Sequence, residues 1–327
     1  MGIVTSKESA PKWFDGFAEQ LPDLQGKVVA ITGCTTGLGY IFARKCVQKH
    51  AAAVILLNRS SERAEAAEKS LREVASPDTT VVTITCDLQN FGSVCKAAAR
   101  IQEDYDALDV LCNNAGIMAF PDQATADGYD VQMQTNFLSH FLLTKELFPL
   151  LQNARTRHGS ARIVNHSSFV RFRPKTPFDT KYLEKKGGDL GGSGSMAMWE
   201  RYHQSKLAVA IFASALQNRL KGSGIEVTVA APGYSYTDLQ SSSPGMSGFL
   251  WSRAFLAQSV ADGCMPLLSA AFLPSSSTHD KLKIWEPRRF RLSGPAVEYD
   301  LEEMSTKKEY QDRLWAASED ACGKFIL

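Results

Sequence analysis

Thr32-Gly33-Cys34-Thr35-Thr36-Gly37-Leu38-Gly39 follows the run Lys27–Ile31, which reads as a strand, and opens a segment of helical period. A strand that feeds a glycine turn and then a helix N-terminus is a place to hold a phosphate. Gly33 permits the tight turn, Gly37 lets the backbone approach a pyrophosphate, and Gly39 lets helix and strand pack closely. Thr35, Thr36 and Leu38 complete the loop, and the first helical N–H groups face the anion. The ligand class this predicts is a dinucleotide. The spacing is G-x-x-x-G-x-G rather than G-x-G-x-x-G, and three glycines alone also fit an ordinary turn, so the rest of the chain must decide.

Working outward, apolar β-branched runs alternate with longer stretches of helical period, the pattern of βαβ units on a parallel sheet. Strands are read near 27–32, 53–58, 80–86, 108–113, 161–167 and 225–230, and helices at 38–49, 61–75, 91–104, 127–152 and 202–221. Val54-Ile55-Leu56-Leu57 is continuous rather than alternating, as a strand covered on both faces should be. The fold class expected is α/β, a Rossmann-type doubly wound parallel sheet, in one domain over 21–327 after an N-terminal extension, 1–20. In such sheets ligands sit beyond the carboxyl ends of strands, where Gly33, Asn58, Asp87, Asn113, Ser168 and Pro232 fall. Two segments break the rhythm, 169–201 and 234–290, and are expected to cover the crevice, the second as a C-terminal substrate-covering extension.

The balance of 36 Lys+Arg against 35 Asp+Glu gives no field for nucleic acid, and 44% apolar residues in 327 suffice for a large core. The seven cysteines are scattered, with no Cys-x-x-Cys or Cys/His cluster, so neither a disulfide framework nor a metal site is expected. No run is as long and apolar as a membrane span, and a cytoplasmic location is expected. Met1-Gly2-Ile3-Val4-Thr5-Ser6 satisfies the N-myristoylation pattern at Gly2. One acyl chain gives marginal, reversible membrane association, and no cysteine nearby offers a second.

Asp87-Leu88, Asn113-Asn114-Ala115-Gly116, Asn136, Ser167-Ser168, Tyr202-x-x-x-Lys206 and Pro232-Gly233 with Thr237 follow the glycine turn in order. With it they resemble the short-chain dehydrogenase/reductase family over roughly residues 20–320, in its retinol-dehydrogenase and WW-domain-containing-oxidoreductase-like branch. The resemblance implies a catalytic group of Asn136, Ser168, Tyr202 and Lys206, with Asn136 holding a water that connects Lys206 to solvent. It also implies that Asp87 touches adenine, that Leu88, Asn114, Ala115 and Gly116 line the nucleotide, that Asn113 ties the fourth strand to its neighbours, and that Pro232, Gly233 and Thr237 flank the nicotinamide. Relatives form homodimers or homotetramers through sheet-flanking helices.

The chain holds two Tyr-x-x-x-Lys pairs. Tyr182 follows Ser168 by 14 positions, near the ordinary family gap, and Tyr202 by 34. Context reverses what spacing suggests, because Tyr202 opens an apolar helix that leads to a strand whereas Tyr182 and Lys186 run into consecutive glycines, each costing a helix about 1 kcal/mol. A free phenol titrates near pH 10, and the Lys206 ammonium one helical turn on favours phenolate. At the end of the second strand, where an acidic residue would accept the 2′-hydroxyl of NAD, stand Asn58, Arg59 and Ser60. A neutral and a cationic side chain favour NADP(H) over NAD. The reading is an NADP(H)-dependent oxidoreductase acting on an apolar carbonyl or alcohol, with apolar walls from Phe249, Leu250, Trp251, Phe255 and Leu256. Reduction of a carbon–carbon double bond, as in protochlorophyllide reductases, and a non-catalytic NADP(H)-binding scaffold are the alternatives.

Overall fold

The computed structural model describes residues 10–174, 177–185, 189–235, 257–278 and 281–327. Seven strands run parallel: β1 Val28–Thr32, β2 Ala53–Asn58, β3 Thr80–Thr85, β4 Val110–Asn113, β5 Ala161–His166, β6 Ile225–Ala230 and β7 Lys283–Arg289. An eighth, β8 Ser293–Asp300, pairs antiparallel with β7, and the order across the sheet is β3-β2-β1-β4-β5-β6-β7-β8. The order reverses direction at β1, which leaves a crevice between the turns after β1 and β4.

Helices cover both faces. On one side lie α1 Phe14–Glu19, α2 Gly37–Gln48, α3 Glu62–Arg72 and a helix at Val260–Phe272, around a core that includes Phe14, Phe42, Cys46 and Leu268. On the other lie α4 Phe91–Asp104, a long helix ending in Ser139–His158, another at Ser195–Arg219, and the C-terminal helix Lys308–Cys322. There Phe141 meets Phe212, Trp315 and Phe325 at ring distances of 5.3–5.6 Å. The C-terminal helix therefore covers the outer aromatic face of the two long helices.

Local chemistry starts these helices. Ser61, Asn90, Asp130 and Ser259 each accept a backbone N–H two or three residues on, satisfying donors the first turn leaves open. The Asp262 carboxylate accepts the N–H groups of Lys12, Trp13 and Phe14, which seats α1 against the Val260–Phe272 helix. The described part of the N-terminal extension is thus packed, with Phe14 and Ala18 buried.

Two parts of the segment read as cover belong to the framework: the Val260–Phe272 helix is buried along most of its length, and Lys283–Arg289 is a sheet strand. The helix expected at 202–221 begins earlier, at Ser195, directly after the glycines. At the β7–β8 turn, Phe290 and Arg291 take φ of +53° and +60°, and the Leu292 N–H closes on the Arg289 carbonyl at 2.9 Å. Bulky residues with positive φ at both central positions make the turn that suits twisted strands, at about 1–2 kcal/mol per residue.

Candidate active site

The site begins at the C-terminal end of β1. Gly33 has φ +70°, and a Cβ there would lie 2.8 Å from the Ala115 Cβ. A Cβ on Gly39 would lie 2.2 Å from the Gly33 carbonyl oxygen, so the turn closes only with glycine at both places. Thr36 precedes α2 without capping it, and no acidic side chain occupies the first turn. The N–H groups that side chains satisfy at α3 and α4 thus stay open at α2.

A cleft of about 980 Å³ opens from this turn. It is lined by Gly33, Thr35, Thr36, Gly37, Leu38, Gly39, Asn58, Arg59, Ser60, Asp87, Leu88, Asn114, Ala115 and Gly116, all expected from sequence to hold a nucleotide. Arg63, Gln89, Ile117, Thr135 and His166 also line it and carried no sequence signal. A nucleotide fits on three counts: the uncapped helix end, the glycine cradle, and the buried Asn58 Nδ2, which has no hydrogen-bond partner. Asn58 Oδ1 accepts the Cys34 N–H at 2.9 Å, so the residue also pins the turn. Burial pushes the Cys34 thiol up to about 12, which leaves it inert. All seven cysteines are free thiols. Among the described residues no cluster could hold a metal ion.

Past the cleft, β5 ends at His166 and delivers Ser167 and Ser168. The buried Ser167 hydroxyl donates to the Lys206 carbonyl at 2.8 Å and fixes strand to helix. Ser168 lies beside the Tyr202 phenol, whose acidity it favours, and its hydroxyl oxygen accepts the Val170 N–H to cap the short turn Phe169–Phe172. Burial pushes the phenol up to about 12, with the Ser168 contact pulling the other way. One turn on, Lys206 donates to the His166 carbonyl at 3.0 Å, and burial pushes its ammonium down to about 8. Met118, Ala119, Met198, Val170 and Trp199 pack around Tyr202 as an apolar wall. Tyr182 sits elsewhere, in the Thr180–Leu183 turn within the core beneath the C-terminal helix, and Lys186 lies outside the described residues.

Asn136 lies in a π-helical turn, Gln134–Leu138. Its Nδ2 donates to the Ile117 carbonyl and to Ser205, while its Oδ1 accepts the Ile117 N–H at 2.8 Å. The side-chain amide ties the β4 turn to the Tyr202 helix. Its carbonyl accepts from His140 Nδ1. The N–H groups of Asn114 and Ala115 both donate to the Thr32 hydroxyl oxygen, so that hydroxyl gives its proton to His140 Nε2 at 2.9 Å. Asn113 bridges Thr144 and Asn165, joining β4 to β5.

Pro232 and Gly233 follow β6 and stand outside the cleft lining, at the next strand end. Thr237 and Phe249, Leu250, Trp251, Phe255 and Leu256 lie outside the described residues.

Sequence reasoning missed two buried arginines. Arg171 pairs with Glu286 at 2.8 Å and Glu302 at 3.0 Å and donates to the Ser168 carbonyl at 3.1 Å. Arg201 pairs with Asp130 at 3.1 Å and donates to the Leu190, Gly192 and Phe120 carbonyls, fastening the glycine-rich stretch beside Tyr202.

The family model for short chain dehydrogenase matches residues 27–182. An uncharacterized oxidoreductase of Schizosaccharomyces pombe is 33% identical over 82% of this chain and 78% of its own. Retinol dehydrogenase 13 of Mus musculus is 33% identical over 66% of this chain and 60% of its own length. A crystal structure of an uncharacterized protein from Mycobacterium paratuberculosis superposes with TM-score 0.73 at 32% identity, over 95% of this chain and 98% of that one.

Proposed function

Because this chain belongs to the short-chain dehydrogenase/reductase family and is an oxidoreductase of that family, we propose that it transfers hydride between NADP(H) and an apolar carbonyl or alcohol. Carbonyl reduction adds a hydride to carbon and a proton to oxygen, and the bound nicotinamide supplies the hydride. Tyr202 gives the proton, Ser168 donates a hydrogen bond that orients the same oxygen, and Lys206 favours the phenolate left behind. Alcohol oxidation reverses each step. Asn136 holds the β4 turn against the Tyr202 helix, and Met118, Met198, Val170 and Trp199 exclude water from the reacting oxygen.

The nucleotide is held by Gly33, Thr35, Thr36, Gly37, Leu38 and Gly39 at its pyrophosphate and by Asp87, Leu88, Asn114, Ala115 and Gly116 along its length. Pro232 and Gly233 would flank its nicotinamide end, as would Thr237 by its place in the family motif. Arg59 and Ser60, with Asn58 in place of an acidic residue, select the 2′-phosphate and so NADP(H) over NAD.

The observation that carries this reading is the contact between Ser168 and the buried Tyr202 phenol, with Lys206 one turn on. NADPH oxidation across a panel of aldehydes, ketones and quinones tests it. Wild-type protein is expected to turn over one class, Tyr202→Phe to lose turnover, and Tyr182→Phe to keep most of it. Equal rates for wild type and Tyr202→Phe would refute the catalytic assignment.

A further inference from the structure

Phe290, at the tip of the β7–β8 hairpin, is 90% exposed. Arg288 and Arg289 beside it are exposed and form no ion pair among the described residues. Leu292, closing the turn, is exposed as well. The backbone accepts positive φ at Phe290 and Arg291, and a large aromatic side chain stands outward where asparagine or glycine would turn the chain more easily.

This tip touches the N-terminal segment. The Arg289 guanidinium lies over the Trp13 ring at 5.4 Å, and the Lys12 ammonium is 6.0 Å from the same ring. Asp262 holds Lys12 and Trp13 in place through their N–H groups. The tip also borders the crevice. The Leu292 carbonyl accepts the Tyr234 N–H at 2.8 Å, just past Pro232-Gly233. Arg291 lies over the Phe172 ring at 5.3 Å and bonds Glu286, whose partner Arg171 holds the Ser168 carbonyl.

We propose that Phe290, Arg288, Arg289 and Lys12 form a docking surface for an anionic lipid bilayer. The arginines and the lysine meet acidic headgroups, and Phe290 enters the boundary between headgroups and chains. Charge complementarity and an outward aromatic at one tip select a bilayer over an acidic protein, which would use the cations and leave the ring in water. The surface also absorbs the acylation pattern at Gly2. A single acyl chain binds only marginally and needs a second signal, and a cluster of cations is one such signal. Among the described residues no helix is long and apolar enough to cross a membrane. Docking itself does not depend on the proposed reaction. That it brings the crevice rim to the phase where an apolar substrate dissolves does rest on it.

Co-sedimentation with vesicles of phosphatidylcholine alone, or mixed with phosphatidylserine, tests the proposal on the full chain with and without an N-myristoyl group. The protein is expected to bind the mixed vesicles over the neutral ones and to release as salt rises. Arg288→Gln and Arg289→Gln are each expected to weaken binding about fivefold. Phe290→Ser should weaken it about tenfold. The added fluorescence of Phe290→Trp should shift to the blue on mixed vesicles and be quenched by brominated chains. Unchanged thermal unfolding midpoints in these variants separate lost docking from lost folding, and the vesicle readout stands whether or not any carbonyl is turned over. Equal binding by wild type and Phe290→Ser, or no preference for phosphatidylserine in either acylation state, overturns the proposal. Sensitivity to the arginines without sensitivity to Phe290 also overturns it and points to a soluble polyanion.

Discussion

Arg59 stands exposed where β2 runs out into the nucleotide cleft, next to an Asn58 whose Oδ1 is committed to the Cys34 N–H. Asn58 holds the turn, and under the proposed NADP(H) reading the cation beside it is the group that meets the 2′-phosphate. A charged hydrogen bond of that kind is worth about 1.5–3 kcal/mol. Arg59→Ala is therefore expected to lower kcat/KM for NADPH by about tenfold or more while leaving NADH nearly unchanged, which steady-state kinetics with both cofactors will read. Gly33 and Gly39 were legible in the sequence because the backbone geometry of the turn demands glycine at those places, and the roles proposed for Tyr202 and Lys206 were read from the proton chemistry of a Tyr-x-x-x-Lys pair that opens an apolar helix. Thr32 and His140 were not legible. A threonine and a histidine are common in any core, and their roles exist only because folding brings the Asn114 N–H and the Asn136 carbonyl against them.

At the scale of elements, the short turn Phe169–Phe172 carries the largest electrostatic commitment near the site. Arg171 and Glu286 are both fully buried, and Arg291 and Glu302 complete the set. Removing one member of such a group strands the others without water, at about 3–5 kcal/mol. Arg171→Met should lower the urea midpoint accordingly. Because the guanidinium also holds the Ser168 carbonyl, turnover should fall by more than the folded fraction accounts for, measured at a urea concentration where both proteins are native. The same network explains why β7 escaped the reading of the sequence. Lys283-Ile284-Trp285-Glu286-Pro287-Arg288-Arg289 shows neither a continuous apolar run nor alternation, and Glu286 goes inside only because arginines from two other places neutralise it. The Val260–Phe272 helix was hidden by its internal Gly263 and Pro266 and by the serine-rich sequence before it. The six strands that were legible are those whose two faces are both covered, so that their apolar character does not depend on a distant ion pair.

For the whole molecule, two neutral histidines beside the crevice and one buried carboxyl pull the response to acid in opposite directions. Burial holds His140 down to about 4, and burial with the nearby Lys206 charge holds His166 down to about 3, against an ordinary 6.5. Between those values the unfolded chain binds protons at these histidines that the folded chain refuses, so their contribution is full above 6.5 and is lost as pH falls toward 4; the Asp130 carboxyl, which burial pushes up to about 6, takes its proton first in the folded chain and adds stability over the same range. His140 alone accounts for about 3 kcal/mol over that window. The comparison that isolates the histidine is His140→Gln against wild type: the variant is expected to lose less of its urea midpoint between pH 6.5 and 4, and an identical pH dependence in the two proteins would contradict the neutral, Thr32-bonded imidazole. The single α/β domain was legible because strand and helix signals alternate without a linker-like stretch. The aromatic seam made by Phe141, Phe212, Trp315 and Phe325 was not, because nothing local links its two halves. That seam has a consequence for synthesis. Phe141 emerges from the ribosome well over a hundred residues ahead of Trp315, a delay on the order of ten seconds or more. For that time the nascent sheet carries an open greasy flank, so the newborn protein is most vulnerable to aggregation, and most in need of a chaperone, just before its last helix arrives.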